Sequence, residues 1–469
     1  MVYKASTASL THDESYSFIH YTVDSFMEII SFSNWFMNNH VLNSLFMKYS
    51  IELFGNEEWA LRLPNLLALV LYLVYAYKIL NHKNPVLSLA VFLLLCSNAA
   101  LADLFGMARG YGLSCGFMLM SLYHFIAYLK NPKKIHLYAF HFAAALAVLS
   151  HFTLLTYYIA LPFAFNLTIL LRGRNHLQEK EGLLKANLPH LLPVFLCILV
   201  LFEPVRRAIM YRQLNVAGNN GFFADTFSSF VGNLTNGAIG SGWQMILSQV
   251  LISLMVVVPF ALLTWNAIKK DGQLLAHHLE LWLLSFFLLF ISAFILLNHY
   301  LLASDYPTGR FLIFILPLFL LQLGFLTDYF LNTKMKNFAL VFVSCLGLCS
   351  AAVFISNFSM TVYGGWSYDA STKKMMEDLN AYHLKNCRET TDQSLSTFWL
   401  FQPAIRYCQI KEDMNWLLPV ERNGTNSSSR FLYIQKDSLE SLPIKYQVIS
   451  EYPLSQTVLI ENRSINNSP

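Results

Sequence analysis

The stretch LYAFHFAAALAVLSHFTLLTYYIALPFAFNLTILL, residues 137–171, decides the fold. A membrane-crossing helix needs about 20 mostly apolar residues, fewer when packed inside a bundle. These 35 residues suffice for a tight hairpin of two short helices, 137–150 and 153–171, turning at Ser150-His151. Read as one long helix, they reverse the side of every loop that follows. Loop charge discriminates, because cytoplasmic loops of membrane proteins are enriched in Lys and Arg.

Outward from the hairpin, eight more apolar runs read as membrane helices: 62–80, 86–104, 111–129, 188–203, 243–266, 278–298, 310–330 and 337–357. With the hairpin counted as two, alternate loops carry Lys78 and Lys83; Lys130, Lys133 and Lys134; Arg172, Arg174, Lys180 and Lys185; Lys269 and Lys270; Lys334 and Lys336. All of these then fall on one side, read as the cytoplasm. The opposite short loops hold the isolated arginines Arg109 and Arg310. Segments 1–61, 105–110, 204–242, 299–309 and 363–469 are predicted to face outward. The 204–242 loop carries Arg206, Arg207 and Arg212, but long loops count less in this rule.

Composition agrees. Of 469 residues, 55% are hydrophobic and 13% charged, against about 25% charged in a soluble domain; mean hydropathy is +0.44. A single water-soluble globule, a disordered chain, a fibrous repeat and a disulfide scaffold are excluded. The net charge of +4, from 32 basic and 28 acidic residues, is too balanced to point to a nucleic-acid partner. Cys96, Cys115, Cys197, Cys345 and Cys349 lie in apolar runs, where Cys acts as a small hydrophobe. Cys387 and Cys408 lie in the polar tail and can pair in an oxidising compartment. Met1–Ser9 holds one Lys and no apolar core, so no signal peptide is read there.

After Gly364-Gly365 the chain turns polar, with alternating runs at Arg430–Gln435 and Thr457–Glu461 and N-cap groups in Asp369-Ala370-Ser371-Thr372. This predicts a helical membrane protein of about ten spans, with an outward segment 1–61, a membrane core 62–362 and a small α/β domain over 363–469.

The outward segments hold the polar groups that can do chemistry. They read Thr11-His12-Asp13-Glu14-Ser15-Tyr16, Asn38-Asn39-His40, Phe54-Gly55-Asn56-Glu57-Glu58-Trp59-Ala60-Leu61-Arg62-Leu63-Pro64, Asp103 to Leu113 around Ala108-Arg109-Gly110-Tyr111, Ser150-His151, and Tyr306-Pro307-Thr308-Gly309-Arg310-Phe311. By themselves they leave alternatives. Asp13-Glu14 is a solvated helix start or an acidic site pair. Asp103 is a site acid or the cap of the 105–112 turn. Arg109 and Arg310 bind phosphate or snorkel to the interface. Arg62 reads as an interface anchor. His40 and His151 are hydrogen-bonded bystanders or site groups.

In order and spacing these segments resemble the polytopic class C glycosyltransferases of the protein O-mannosyltransferase and aminoarabinose-transferase type. That family carries an Asp-Glu pair in its first outward loop. A Phe-Gly…Glu…Arg-Leu-Pro segment, an Ala-Arg-x-Tyr-x-Leu loop and a late Arg-Phe/Tyr-Leu…Pro helix follow. The resemblance covers about residues 10–171 well and 306–320 moderately. Family members place a membrane helix ahead of the Asp-Glu loop, whereas this sequence starts a dozen residues before Asp13. The first helix of the family therefore reads as missing from it.

The resemblance implies transfer of a sugar from a polyprenyl-phosphate donor to a hydroxyl of a lipid, glycan or protein acceptor, on the periplasmic face of the inner membrane. Such transfer needs a base for the acceptor proton, cations on the departing phosphate and a cavity for a long lipid. Asp13 is the expected base, with Glu14 orienting it or binding metal or substrate. Arg109, Arg310, Asp103, His40, His151 and Tyr111 are the expected substrate- and phosphate-binding groups. A divalent cation on His12, Asp13, Glu14 and Asp103 is chemically suitable, though no spacing requires it. Two other readings are a transporter of lipid-linked saccharide and a non-catalytic scaffold. Against transport, the apolar runs are almost free of charge and show no repeat.

Overall fold

The computed structural model describes the chain except residues 35, 37, 82–83, 173–180, 212–217, 270–271, 387–391, 426–427 and 465–469. Lys83, Arg174, Lys180, Arg212, Lys270 and Cys387, named above, lie outside the described residues.

Four short helices come first: α1 (Val2–Thr7), α2 (His12–Tyr21), α3 (Phe26–Ile30) and α4 (Val41–Phe54). The apolar part follows as α5 (Glu58–Leu80), α6 (Pro85–Cys96), α7 (Ala99–Phe105), α8 (Gly110–Lys130), α9 (Lys134–Ser150), α10 (Leu155–Arg172), α11 (Glu181–Asn187), α12 (Leu191–Met210), α13 (Ser228–Leu234), α14 (Trp243–Lys269), α15 (Gln273–His277), α16 (Leu279–Leu302), α17 (Ile315–Phe330) and α18 (Lys336–Asn357). Among the described residues, seven helical stretches are long and apolar enough to cross a membrane, or eight if the α6–α7 pair is one span. α9 and α17 are apolar but shorter.

The decisive hairpin is present. α9 stops at Ser150, His151 is extended (φ −158°, ψ 117°), and a 3-10 turn leads into α10. The α9 end meets the start of α8, where a Cβ on Gly110 would lie 1.8 Å from the Ser150 carbonyl oxygen. From there α10 runs back along α8. The Tyr157 hydroxyl reaches Ser121 at 3.3 Å, and Phe165 meets Tyr128 near the far end. Small residues bring other helices close: α18 passes Ala90 at Gly347, and α17 passes Val91 at Gly324.

Three predicted boundaries are corrected. The run 86–104 is no single helix but two, bent by 67°. The break is at Asn98, whose side chain accepts from the Leu101 N–H at 2.9 Å and donates to the Asn233 carbonyl at 2.8 Å. Asn competes for backbone partners in this way, which suits it to caps. The loop predicted from 204 starts later, because α12 continues through Pro204 to Met210. Finally, α17 begins only at Ile315, leaving Arg310 in a 3-10 turn ahead of it.

The tail comprises α19 (Thr372–Asn386), α20 (Gln402–Lys411) and strands β1 (Leu395–Thr397), β2 (Phe431–Gln435), β3 (Tyr446–Tyr452) and β4 (Thr457–Asn462). The sheet order is β1-β2-β4-β3, with β1 and β2 parallel and the other pairs antiparallel. Its inner face (Phe431, Tyr433 and Leu459) packs with Met375, Leu379 and Ile405. Leu10, Phe18, Met47 and Leu61 belong to the same cluster, so the N-terminal helices and the tail share one core. Of the N-cap groups in 369–372, Asp369 accepts from the His12 N–H of α2 at 2.6 Å through Oδ2 and also hydrogen-bonds with Thr372 at the start of α19.

Candidate active site

The site begins with the cap of α2. The Thr11 hydroxyl accepts from the Glu14 N–H, and the Glu14 carboxylate accepts from the Thr11 N–H at 2.9 Å. This capping box fixes the first helical turn. Consecutive side chains on a helix point about 100° apart, so Asp13 and Glu14 part company.

Glu14 turns inward and is fully buried. Its Oε1 accepts from Arg62 Nε at 2.8 Å and the Ala108 N–H at 2.6 Å; its Oε2 accepts from Arg62 Nη2 at 2.9 Å. Arg62 also donates to the carbonyls of Ala5, Ala8 and Ser9 at 2.8–3.0 Å. Burial pushes the Glu14 carboxyl up, but the Arg62 charge and the hydrogen bonds from Arg62 and the Ala108 and Thr11 N–H groups together outweigh it, and the net shift is downward. Two expectations are thereby corrected. Arg62 is no interface anchor, since its guanidinium is spent on a buried carboxylate and three carbonyls. Glu14 has no oxygen left for metal or substrate.

Asp103 is also drawn away from Asp13. Its Oδ1 lies 2.6 Å from buried Lys4, and its Oδ2 accepts from the Gly364 N–H at 3.0 Å. Its side chain does not cap the 105–112 turn; it ties α1 to the start of the tail and, with Arg310, Phe311 and Trp366, lines a cavity of about 790 Å³ adjoining the one that holds Asp13. His12 points elsewhere too, with Nδ1 2.7 Å from the Leu400 carbonyl. The four groups considered as metal ligands thus do not converge, and no cluster of three His, Cys, Asp or Glu exists among the described residues.

The other predicted groups meet. Asp13, His40, Arg109, Tyr111, His151 and Arg310 line one cavity of about 270 Å³. Asp13 Oδ2 is 2.8 Å from Arg310 Nη1. Arg109 donates to the Asn38 carbonyl at 3.0 Å and the Ser17 hydroxyl at 3.2 Å, while its buried Nε has no partner among the described residues. His40 Nδ1 donates to the Ser150 carbonyl at 2.9 Å, which leaves Nε2 buried and without a partner among the described residues. The rings of His40 and His151 stack at 5.2 Å, and Tyr111 lies 4.6 Å from His151.

Charge and burial set the protonation states. Burial pushes the Asp13 carboxyl up, but Arg109, Arg310 and His12 together hold it below its ordinary value. Burial, then Arg109 and His151, hold His40 well below the usual imidazole range. Burial with Arg109 and Arg310 takes His151 down to about 3. The site therefore presents one carboxylate, two guanidinium groups and two neutral imidazoles.

Several members were not singled out beforehand. Trp366 stacks under Arg310 at 5.0 Å and hydrogen-bonds toward Asp13. Ser17 and Asn38 seat Arg109. Only Asn38 carried a sequence signal, in the polar run ahead of α4.

The cavity shares Phe152, Thr153 and Phe311 with an apolar groove lined by Leu155, Ile209, Phe294 and Phe314. Through Leu155, Val205 and Ile209 the groove continues between α10 and α12, past Val194, Ile198 and Leu201.

Residues 41–207 match the dolichyl-phosphate-mannose-protein mannosyltransferase family. This stretch contains Arg109, Tyr111 and His151 but neither Asp13 nor Arg310. No curated protein sequence matches the chain. Among solved structures, ArnT from Cupriavidus metallidurans bound to undecaprenyl phosphate is similar, with a TM-score of 0.50 and 11% identity over 100% of this chain and 97% of that one. The apo form of ArnT gives a TM-score of 0.42 at the same identity and coverage. The chain is a multi-pass membrane protein with a fold like that of ArnT.

Proposed function

We propose that the chain is a membrane glycosyltransferase moving a sugar from a polyprenyl-phosphate donor onto an acceptor hydroxyl, on the outward face of the membrane. The observation that carries this is one cavity in which the Asp13 carboxylate, Arg109 and Arg310 converge at the mouth of an apolar groove. The likeness to a lipid-phosphate-bound ArnT and to a dolichyl-phosphate-mannose family supports it.

In this reading the lipid lies along the groove between α10 and α12, and its phosphate sits by Arg109 and Arg310. Asp13 takes the proton of the acceptor hydroxyl, and that oxygen attacks the anomeric carbon. The sugar–phosphate bond breaks, and its electron pair leaves on the phosphate oxygen, where the guanidinium groups stabilise it. His40 Nε2 is a hydrogen-bond acceptor in the neutral tautomer fixed by Ser150, suited to a sugar hydroxyl. Lys374 and the rest of the tail lie on the same outward side.

Asp13→Asn tests the reading in nanodiscs supplied with a polyprenyl-phosphate sugar. Asn keeps shape and one acceptor oxygen but cannot take the proton. Turnover is expected to fall by about 10²–10⁴-fold, with donor binding kept within a few-fold. Near-normal turnover would remove Asp13 from the role of base.

A further inference from the structure

Beside the cavity an aromatic stripe runs over the surface. His12, Tyr16 and His20 follow one another at four-residue spacing along α2, next to Asp13. Tyr16 lies 4.2 Å from His20 and 5.3 Å from Phe36, and His12 meets Trp399 of the tail edge-on at 5.4 Å. Trp399 is 63% exposed and Phe36 47% exposed, so these rings form no core. Phe36 also lines the cavity that holds Asp13, which makes the stripe continuous with the site. Arg422 acts on both Tyr16 and His20 and is itself held by Gln402 Oε1 at 2.8 Å.

We propose that this stripe is the docking ledge for a saccharide acceptor, whose pyranose rings stack on Trp399, Tyr16 and Phe36 and lead one hydroxyl to Asp13. The inference rests on the glycosyltransferase reading and names its acceptor class. A pyranose presents an apolar C–H face and a rim of hydroxyls. The ledge presents flat apolar faces with a guanidinium, an amide and imidazoles at their edges, which is the matching chemistry. A peptide acceptor fits less well, because the stripe offers neither a sheet edge nor an apolar side-chain pocket, and a peptide docked on aromatic rings would have to be proline-rich. The rings come from α2, the loop before α4 and the tail, so the ledge exists only while the tail is docked on the N-terminal helices.

The test uses the full chain in nanodiscs with neutral hexasaccharides of glucose, mannose and N-acetylglucosamine, followed by saturation-transfer NMR and calorimetry. At least one hexasaccharide is expected to bind. Trp399→Ala and Tyr16→Leu should each weaken it by at least tenfold, and Trp399→Ala should leave the thermal midpoint unchanged because Trp399 is largely exposed. Binding of polyprenyl phosphate, measured on the same samples, should be unaffected by Trp399→Ala. Absence of hexasaccharide binding to the unsubstituted chain overturns the proposal, as does full binding by both variants. So does a loss confined to anionic vesicles or to a Ser/Thr-rich peptide, which would make the ledge a lipid or peptide surface. Failure of polyprenyl phosphate to bind any of the proteins would instead remove the glycosyltransferase reading, and leave the saccharide result to stand by itself.

Discussion

Asp13 and Glu14 are neighbours with opposite fates. Glu14 faces Arg62 with every oxygen used, whereas Asp13 pairs with Arg310 at 2.8 Å in the wall of a cavity. The pH behaviour of the site follows from its charges. A carboxyl held below its ordinary 3.8 by Arg109 and Arg310 is in its basic form at all higher pH. That form is lost only as pH falls through the lowered value. His151, down at about 3, stays neutral over the same range, and His40 is likewise held down. Since kcat/KM reports the free enzyme, its profile is expected to be flat from about pH 5 to 8, with no histidine limb near the ordinary ~6.5. A rise in kcat/KM through pH 6–7 would show that an imidazole, and not Asp13, takes the proton.

The elements that hold Arg109, His151 and His40 are the start of α8, the end of α9 and the N-terminus of α4. Their closest approach is at Gly110. A methyl group there would sit 1.8 Å from the Ser150 carbonyl oxygen and 3.0 Å from His40 Cβ. The first contact is with backbone, so no side-chain rotation relieves it. Gly110→Ala must push α9 away, and with it the carbonyl that orients His40. Overpacking of this kind costs about 1–3 kcal/mol. Thermal melting in detergent is expected to show a midpoint lower by several degrees, and transfer should fall by at least tenfold. An unchanged midpoint would mean that the two helix ends are not in contact. The break at Asn98 belongs to the same scale: a polar cap in an apolar run splits a span and aims α7 toward the site loops.

At the scale of the whole molecule, the basic loops and the site lie at opposite ends of the helices. Lys130 and Lys134 sit at the end of the α8–α9 hairpin away from Gly110 and Ser150. The tail is fixed to the site end through the Lys4–Asp103 pair, the Asp369 cap on α2 and the ion pairs of Glu58 with Lys373 and Lys411. Cysteines placed at exposed Lys133 and Lys374 test the orientation in cells. An impermeant thiol reagent should label Lys374→Cys in intact cells and Lys133→Cys only after permeabilisation. The reverse pattern would turn the protein over in the membrane and move the proposed reaction to the cytoplasmic side.

Apolar run length, loop charge and turn chemistry are local properties, and whatever depends on them can be read along the chain. The helical spans, the hairpin at Ser150-His151 and the strands at Phe431–Gln435 and Thr457–Asn462 were legible for this reason. So was the pool of polar outward groups, of which Asp13, His40, Arg109, Tyr111, His151 and Arg310 come together. Partner choice is not local. Glu14 and Arg62 are 48 residues apart, and Lys4 and Asp103 are 99 apart. A buried charge is stable only beside an opposite one, so each acid's role follows from which cation the fold brings to it. It takes the folded chain to tie Glu14 and Asp103 to Arg62 and Lys4, and to set Asp13 in the cavity with Arg310.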